Sequence, residues 1–177
     1  MIIEDIKFSY LRQPPKKWTF EQPRLKKWIE ERCKGKVLNL FAGKTRLNVN
    51  EFRVDSNNDF KPDYLGNALD FLNTTGMKFD TIILDPPYSL RKSYEKYKGH
   101  YIGSKWTQIR RAIFKVCNKN AIVISLGYNS MGMSRTLGFV KKEILLVCHN
   151  GDHNDTIVTL EELKQKIEGK KWKKRNV

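Results

Sequence analysis

A carboxylate, two successive prolines and a tyrosine, Asp85-Pro86-Pro87-Tyr88, follow directly on the apolar run Thr81-Ile82-Ile83-Leu84. The run is short, β-branched and bounded by turn residues, which predicts a buried strand. Two prolines in a row cannot donate to a β-ladder and hold the backbone in an extended turn. The expected result is a rigid shelf at the carboxyl end of a strand, presenting one carboxylate, exposed carbonyl groups and an aromatic ring. Such a shelf suits a flat, amine-bearing ring better than an extended polymer backbone. Three further positions upstream carry groups suited to a ligand: the small-residue turn Asn39-Leu40-Phe41-Ala42-Gly43, Asp55 after Phe52-Arg53-Val54, and Asn67 with Asp70 close behind it.

The elements that position these groups alternate. Residues 1–23, interrupted by Pro14, Pro15 and Pro23, read as an arm packed on the domain. Arg24–Arg32 reads as a helix with Leu25, Trp28 and Ile29 on one face, ended by Gly35. Val37–Leu40, Phe52–Val54, Thr81–Leu84 and Ala121–Leu126 read as strands; Ala68–Leu72 and Lys105–Val116 read as helices. Gly127–Gly138 is expected as a loop with a short helix. Glu143–Cys148 and Thr156–Leu160 form an antiparallel hairpin around His149–Asp155, and Glu161–Glu168 closes the chain as a helix. Strands alternating with helices imply an α/β fold with a mostly parallel sheet covered on both faces. In open sheets of this kind ligands bind at the carboxyl ends of the strands, where the candidate residues fall.

The 177 residues are expected to form one domain: the arm 1–23, a catalytic core 24–168 and a basic tail 169–177. Hydrophobic residues at 40% and aromatics at 11% point to a folded core and against disorder. Thirty-four Lys and Arg against 19 acidic residues give a formal charge of +15. That excess favours a polyanionic partner, most simply nucleic acid, over a merely solvated surface. Cys33, Cys117 and Cys148 are too few and scattered for a disulfide framework, which suits a reducing cytoplasm. No membrane-length apolar run and no signal-peptide layout is present, so a soluble, intracellular chain is expected. Cys148, His149 and His153 make an incomplete metal set and read as hairpin polar residues facing substrate or solvent; no metal is expected. There is no Ser-His-Asp arrangement and no phosphate-binding P-loop.

The segments Asn39–Gly43, Val54-Asp55 and Asp85–Tyr88, in that order, resemble the S-adenosylmethionine-dependent amino-methyltransferases, which methylate exocyclic amines of nucleic-acid bases. The resemblance covers about residues 36–160 and implies a Rossmann-like methyltransferase fold, a mostly parallel seven-stranded sheet with helices on both faces and a C-terminal antiparallel hairpin. It implies S-adenosyl-L-methionine as cofactor, held by Asn39, Phe41, Ala42, Gly43, Asp55, Asn67 and Asp85, with Thr19 and Phe20 from the lead-in to the first helix. Many relatives have a richer glycine pattern in the turn, where only Gly43 stands here. Asp55 would accept hydrogen bonds from the ribose hydroxyls, and Asn67, which reads nearly as well as a helix cap, would lie near the adenine, with Asp70 competing for either role.

The resemblance gives the shelf a mechanism. The Asp85 carboxylate and the Pro86 carbonyl would accept both hydrogens of an exocyclic amine and aim its lone pair at the methyl group. Tyr88 would stack on the base, and positioning would be the main catalytic contribution. The base must be flipped out or already unpaired. Substrate contacts are expected from Arg91 and Lys92, with Lys96 and Lys98, to phosphates, and from Tyr94, Tyr97 and Tyr101 by stacking. A compact basic chain without a separate sequence-reading domain favours a structured RNA, ribosomal RNA among relatives, methylated at cytosine N4 or adenine N6 by a monomeric enzyme. A DNA adenine-N6 methyltransferase and a non-catalytic RNA-binding subunit with this fold are the alternatives.

Overall fold

A computed structural model describes residues 5–86, 106–151 and 153–164. Tyr88, Arg91, Lys92, Tyr94, Tyr97, Tyr101, Pro87 and the basic tail lie outside the described residues. Eight strands form a single sheet: β1 Lys7–Arg12, β2 Val37–Leu40, β3 Glu51–Asp55, β4 Tyr64–Leu65, β5 Phe79–Leu84, β6 Cys117–Gly127, β7 Phe139–Cys148 and β8 Thr156–Leu163. Their spatial order is β1-β7-β8-β6-β5-β2-β3-β4. β8 runs antiparallel to β6 and β7, and every other pairing is parallel.

The centre of the sheet follows from the apolar runs. Val37–Leu40 and Thr81–Leu84 are buried throughout, as strands covered on both faces must be. On one face lie helices α2, Ala68–Thr74, and α3, Trp106–Val116. Ile109, Ala112, Ile113 and Val116 recur at helical spacing and pack with Phe71, Leu72, Leu38, Leu40, Ile82 and Leu84 into one apolar cluster. On the other face α1, Pro23–Glu30, buries Leu25 and Ile29 against Val37, Ile83, Ile124 and Val158, with Phe20 of the arm completing that cluster. Pro23 stands at the first turn of α1, where its missing N–H is no loss.

Three sequence expectations need adjustment. The sheet has eight strands where seven were expected, because part of the arm joins it: β1 pairs in parallel with β7 from Lys7↔Glu143 to Arg12↔Cys148. The arm supplies the backbone partners that the outer edge of β7 would otherwise lack. The closing helix expected at Glu161–Glu168 is strand over Glu161–Leu163, which continue β8 opposite Lys141, Val140 and Phe139; residues 165–168 lie outside the described residues. His149 is buried rather than facing substrate or solvent: its ring bonds to the Gln13 carbonyl at 2.8 Å through Nδ1 and to Thr156 Oγ1 at 2.9 Å through Nε2. It is a spacer between the arm and the β7–β8 hairpin.

From the carboxyl end of β6, residues 128–138 cross to the start of β7, with a 3-10 turn at Arg135–Leu137. Glu161, on β8 and only 2% exposed, anchors this crossing. Its carboxylate accepts the Met133 N–H at 2.5 Å and stands 3.7 Å from Lys141 Nζ. Burial pushes Glu161 up to about 7, against the opposing pull of the Met133 N–H, Lys141 and Arg110 of α3.

Candidate functional site

The parallel strands bring the candidate residues to one edge of the sheet. Leu40 is level with Val54 on β3 and with Leu84 on β5, so Phe41, Asp55 and Asp85 each stand one residue beyond that common level. Asp55 and Asp85 therefore end strands two spacings apart, roughly 10 Å at the backbone, with the Phe41–Gly43 turn between them. Asp85 and Pro86 are partly exposed at the rim.

The turn itself has an unusual backbone. Phe41 has φ 62° and Gly43 φ 60°, two left-handed residues around Ala42. At Phe41 this conformation is uncommon for a side chain of that size and signals a turn held by its surroundings. Three bonds hold it: Ala42 N–H to the Val54 carbonyl at 3.1 Å, Gly43 N–H to Asp55 Oδ2 at 2.9 Å, and Arg53 Nη2 to the Gly43 carbonyl. Arg53 is fully buried, and its Nη1 also donates to the carbonyls of Phe60 at 2.9 Å and Lys61 at 3.3 Å. One guanidinium thus ties together the two loops that flank the strand ends, a task its planar fork of donors can perform.

Asp55 is 4% exposed, and its second oxygen, Oδ1, accepts the Asn57 N–H at 2.9 Å. Each carboxylate oxygen holds one backbone donor and keeps further acceptor capacity. Asn39 lies lower on β2. Its Nδ2 donates to Glu51 Oε2 at 2.8 Å, while its buried Oδ1 has no partner among the described residues. Glu51 in turn stands 3.5 Å from Arg53 Nε and accepts the Leu47 N–H. Burial raises the Glu51 carboxyl above its usual range, against the Asn39 and Leu47 hydrogen bonds and Arg53. Asn39, Glu51, Arg53 and Asp55 form a polar ladder beneath the turn on the α1 side of the sheet, with only its top rung at the rim.

The other candidates separate. Asn67 caps α2, its Oδ1 accepting the Leu69 N–H at 2.8 Å. Phe20 is a core residue, and Thr19 begins the 3-10 turn Thr19–Glu21. Their neighbour Trp18 is the arm residue beside the turn: a Cβ on Gly43 would lie 3.8 Å from its ring. Trp18 meets Phe60 edge to face at 5.2 Å, so an aromatic pair lies next to the Gly43 turn. Sequence reasoning did not single out Trp18, Phe60 or Arg53. The strand alternation Glu51-Phe52-Arg53-Val54-Asp55 signals Arg53, since it places that charge on the same face as Asp55. Among the described residues there is no cluster of three or more metal-ligating side chains, and no helix is long and apolar enough to cross a membrane.

No protein-family model matches the sequence, and no curated protein matches it. Solved structures do match by fold. TrmN from Thermus thermophilus aligns with a TM-score of 0.57 at 15% identity, over 80% of this chain and 49% of its own. The tRNA (uracil-54, C5)-methyltransferase of Pyrococcus abyssi, in complex with S-adenosyl-L-homocysteine, aligns at 0.52 and 15%, over 78% and 37%. The N-methyltransferase NodS from Bradyrhizobium japonicum, also with S-adenosyl-L-homocysteine, aligns at 0.52 and 10%, over 73% and 78%. The chain spans about half or less of the length of the first two. Identities this low establish the architecture alone.

Proposed function

Starting from a methyltransferase fold, we propose that this chain uses S-adenosyl-L-methionine to methylate an exocyclic base amine, cytosine N4 or adenine N6, of RNA, ribosomal RNA foremost. The observation that carries the reading is the alignment of Phe41–Gly43, Asp55 and Asp85-Pro86 on three adjacent strand ends. The left-handed turn brings backbone close to a ligand without side-chain obstruction, and Asp55 retains acceptor capacity for ribose hydroxyls. Trp18 and Phe60 offer aromatic faces beside the same turn. The donor, when bound, supplies an electrophilic methyl group. Asp85 and the Pro86 carbonyl accept the two amine hydrogens, fix the nitrogen lone pair in line and take the positive charge that develops there; Tyr88 stacks on the base. Arg91, Lys92, Tyr94, Tyr97 and Tyr101 are the substrate contacts of this reading. The net charge of +15 supports a nucleic-acid substrate.

The deep burial of Asp55, with a backbone donor on each oxygen, favours a second reading in which the fold binds RNA without catalysis. Titration calorimetry with S-adenosyl-L-methionine separates the two: micromolar binding supports the enzyme, and no binding supports the subunit. Asp85→Ala should abolish methyl transfer while leaving folding and donor affinity nearly intact, since Asp85 is one of several residues expected at the donor. Transfer retained by that variant would remove the assigned role. Nucleoside mass spectrometry after incubation with ribosomal RNA or duplex DNA identifies the acceptor.

A further inference from the structure

The far edge of the sheet carries a second surface that the methyl-transfer chemistry does not use. On β1, Phe8 is 65% and Tyr10 58% exposed, with Ile6 39% exposed ahead of them. These three are half of the six exposed large hydrophobic residues among those described. Phe8 and Tyr10 are two residues apart and so share one face of the strand, about 6.7 Å from each other. They are level with Ile144 and Leu146 of β7, which provide an apolar floor beside the rings. Arg12 continues the same face and opens into a cleft of about 430 Å³ lined by Arg12, Gln13, Pro14, Pro23, Arg24 and Asn150. Arg12 Nε donates to Asn150 Oδ1 at 3.0 Å and Arg24 Nη1 to the Arg12 carbonyl at 3.2 Å, which sets two guanidiniums at one cleft. No carboxylate is among the described residues that line it. Lys16 and Lys17 follow in the connecting loop, and Lys26 and Lys27 in α1.

We infer that β1 and this cleft form a binding platform for a single-stranded segment of nucleic acid, its bases stacked on Phe8 and Tyr10 and a backbone phosphate between Arg12 and Arg24. Aromatic rings on a sheet face at the spacing of successive unstacked bases, next to guanidiniums, match what single strands require. An apolar protein partner would not need the paired guanidiniums at the end of the stripe. Because β1 is parallel to β7 and β7 is antiparallel to β8, the cleft opens at the same edge of the sheet as Asp85. Four strand spacings, roughly 19 Å, separate β1 from β5. The platform therefore grips the substrate several nucleotides from the acceptor base, adding affinity and register and leaving the chemistry to Asp85. This inference rests on the nucleic-acid reading above but not on methyl transfer.

Fluorescence anisotropy of the full chain with a short labelled oligouridylate tests it, over a series of salt concentrations and without methyl donor. Replacing both rings, Phe8→Ala with Tyr10→Ala, should weaken binding about five- to hundred-fold per ring and leave the salt slope unchanged. Replacing both guanidiniums, Arg12→Ala with Arg24→Ala, should lower the slope by about 0.7 per lost phosphate contact, and the Lys pair should restore it. Failure of the wild-type chain to bind the oligonucleotide, or wild-type affinity in the ring variant, overturns the inference. So does duplex DNA binding that equals oligouridylate binding and ignores the rings. Sedimentation covers the remaining occupant: a dimer that the ring variant dissociates, with oligonucleotide affinity intact, assigns the face to a second copy. Donor calorimetry on the same variants reads the methyltransferase proposal separately, so either can fail alone.

Discussion

Replacing Glu161 by Gln should remove a pH dependence of stability that the wild-type chain carries between about pH 4.5 and 7. In the unfolded chain this carboxyl keeps its ordinary value near 4.5, whereas in the folded chain burial holds it up to about 7. Within that window the folded state binds the extra proton, so stability is fully present below 4.5 and declines as pH rises through 7. Each pH unit of displacement is worth about 1.4 kcal/mol, which sets the total near 3 kcal/mol. The neutral amide fills the same volume and can still accept the Met133 N–H, so the variant lacks this slope. Urea denaturation at a series of pH values measures it. With a denaturant slope of about 2 kcal/mol per molar, the variant's midpoint should gain roughly 1.5 M on the wild type between the two ends of the window. Lys141 at 3.7 Å and Arg110 act in the opposite direction, favouring the ionised carboxylate. Parallel midpoint curves, or a wild type that gains on the variant as pH rises, would show that these cations outweigh burial and would refute the reasoning.

Asp55→Ala strips the acceptor from the Gly43 and Asn57 N–H groups, each a buried or partly buried donor. A loss of about 2–4 kcal/mol is expected in thermal unfolding, together with a donor affinity reduced at least tenfold by calorimetry. Gly132 has φ +52°, and a Cβ there would collide with the Glu161 carboxylate, so Gly132→Ala should cost about 2 kcal/mol or more. A double-mutant cycle with Glu161→Ala should recover part of that loss, since the obstructing carboxylate is gone; strict additivity would contradict the contact.

The centre of the sheet was legible because its strands are buried on both faces and leave mainly apolar runs, as in Val37–Leu40, interrupted only by Asn39, and Thr81–Leu84. The ends of those strands then followed from turn chemistry: the Asp-Pro-Pro junction, Gly43 and the Asn67 cap. The edge was harder to read. β1 alternates polar and aromatic residues with neither face fully covered, and Pro14, Pro15 and Pro23 beyond it suggest a loop, so Lys7–Arg12 read as part of an arm. Glu161 misled for a different reason. A carboxylate on the buried face of a strand breaks the apolar alternation, and Glu161-Glu162 resembles the acidic first turn of a helix. Arg53 escaped notice because its partners, the Gly43, Phe60 and Lys61 carbonyls, are set by tertiary packing rather than by spacing, and the same packing turns the Asn39 amide to Glu51.

The pairing of β1 with β7 has a consequence for biosynthesis. Among the described strands, the first in chain order takes its place beside the seventh of eight, since Lys7 faces Glu143 and Arg12 faces Cys148. Throughout translation Phe8 and Tyr10 must wait, with both backbone edges unpaired, until the hairpin that receives them has emerged. Closing so large a loop is entropically slow, and an unpaired apolar strand is exposed to association in the meantime. The interspersed Lys7, Ser9 and Arg12 and the prolines that follow are the features that keep such a waiting strand from pairing with a neighbouring chain.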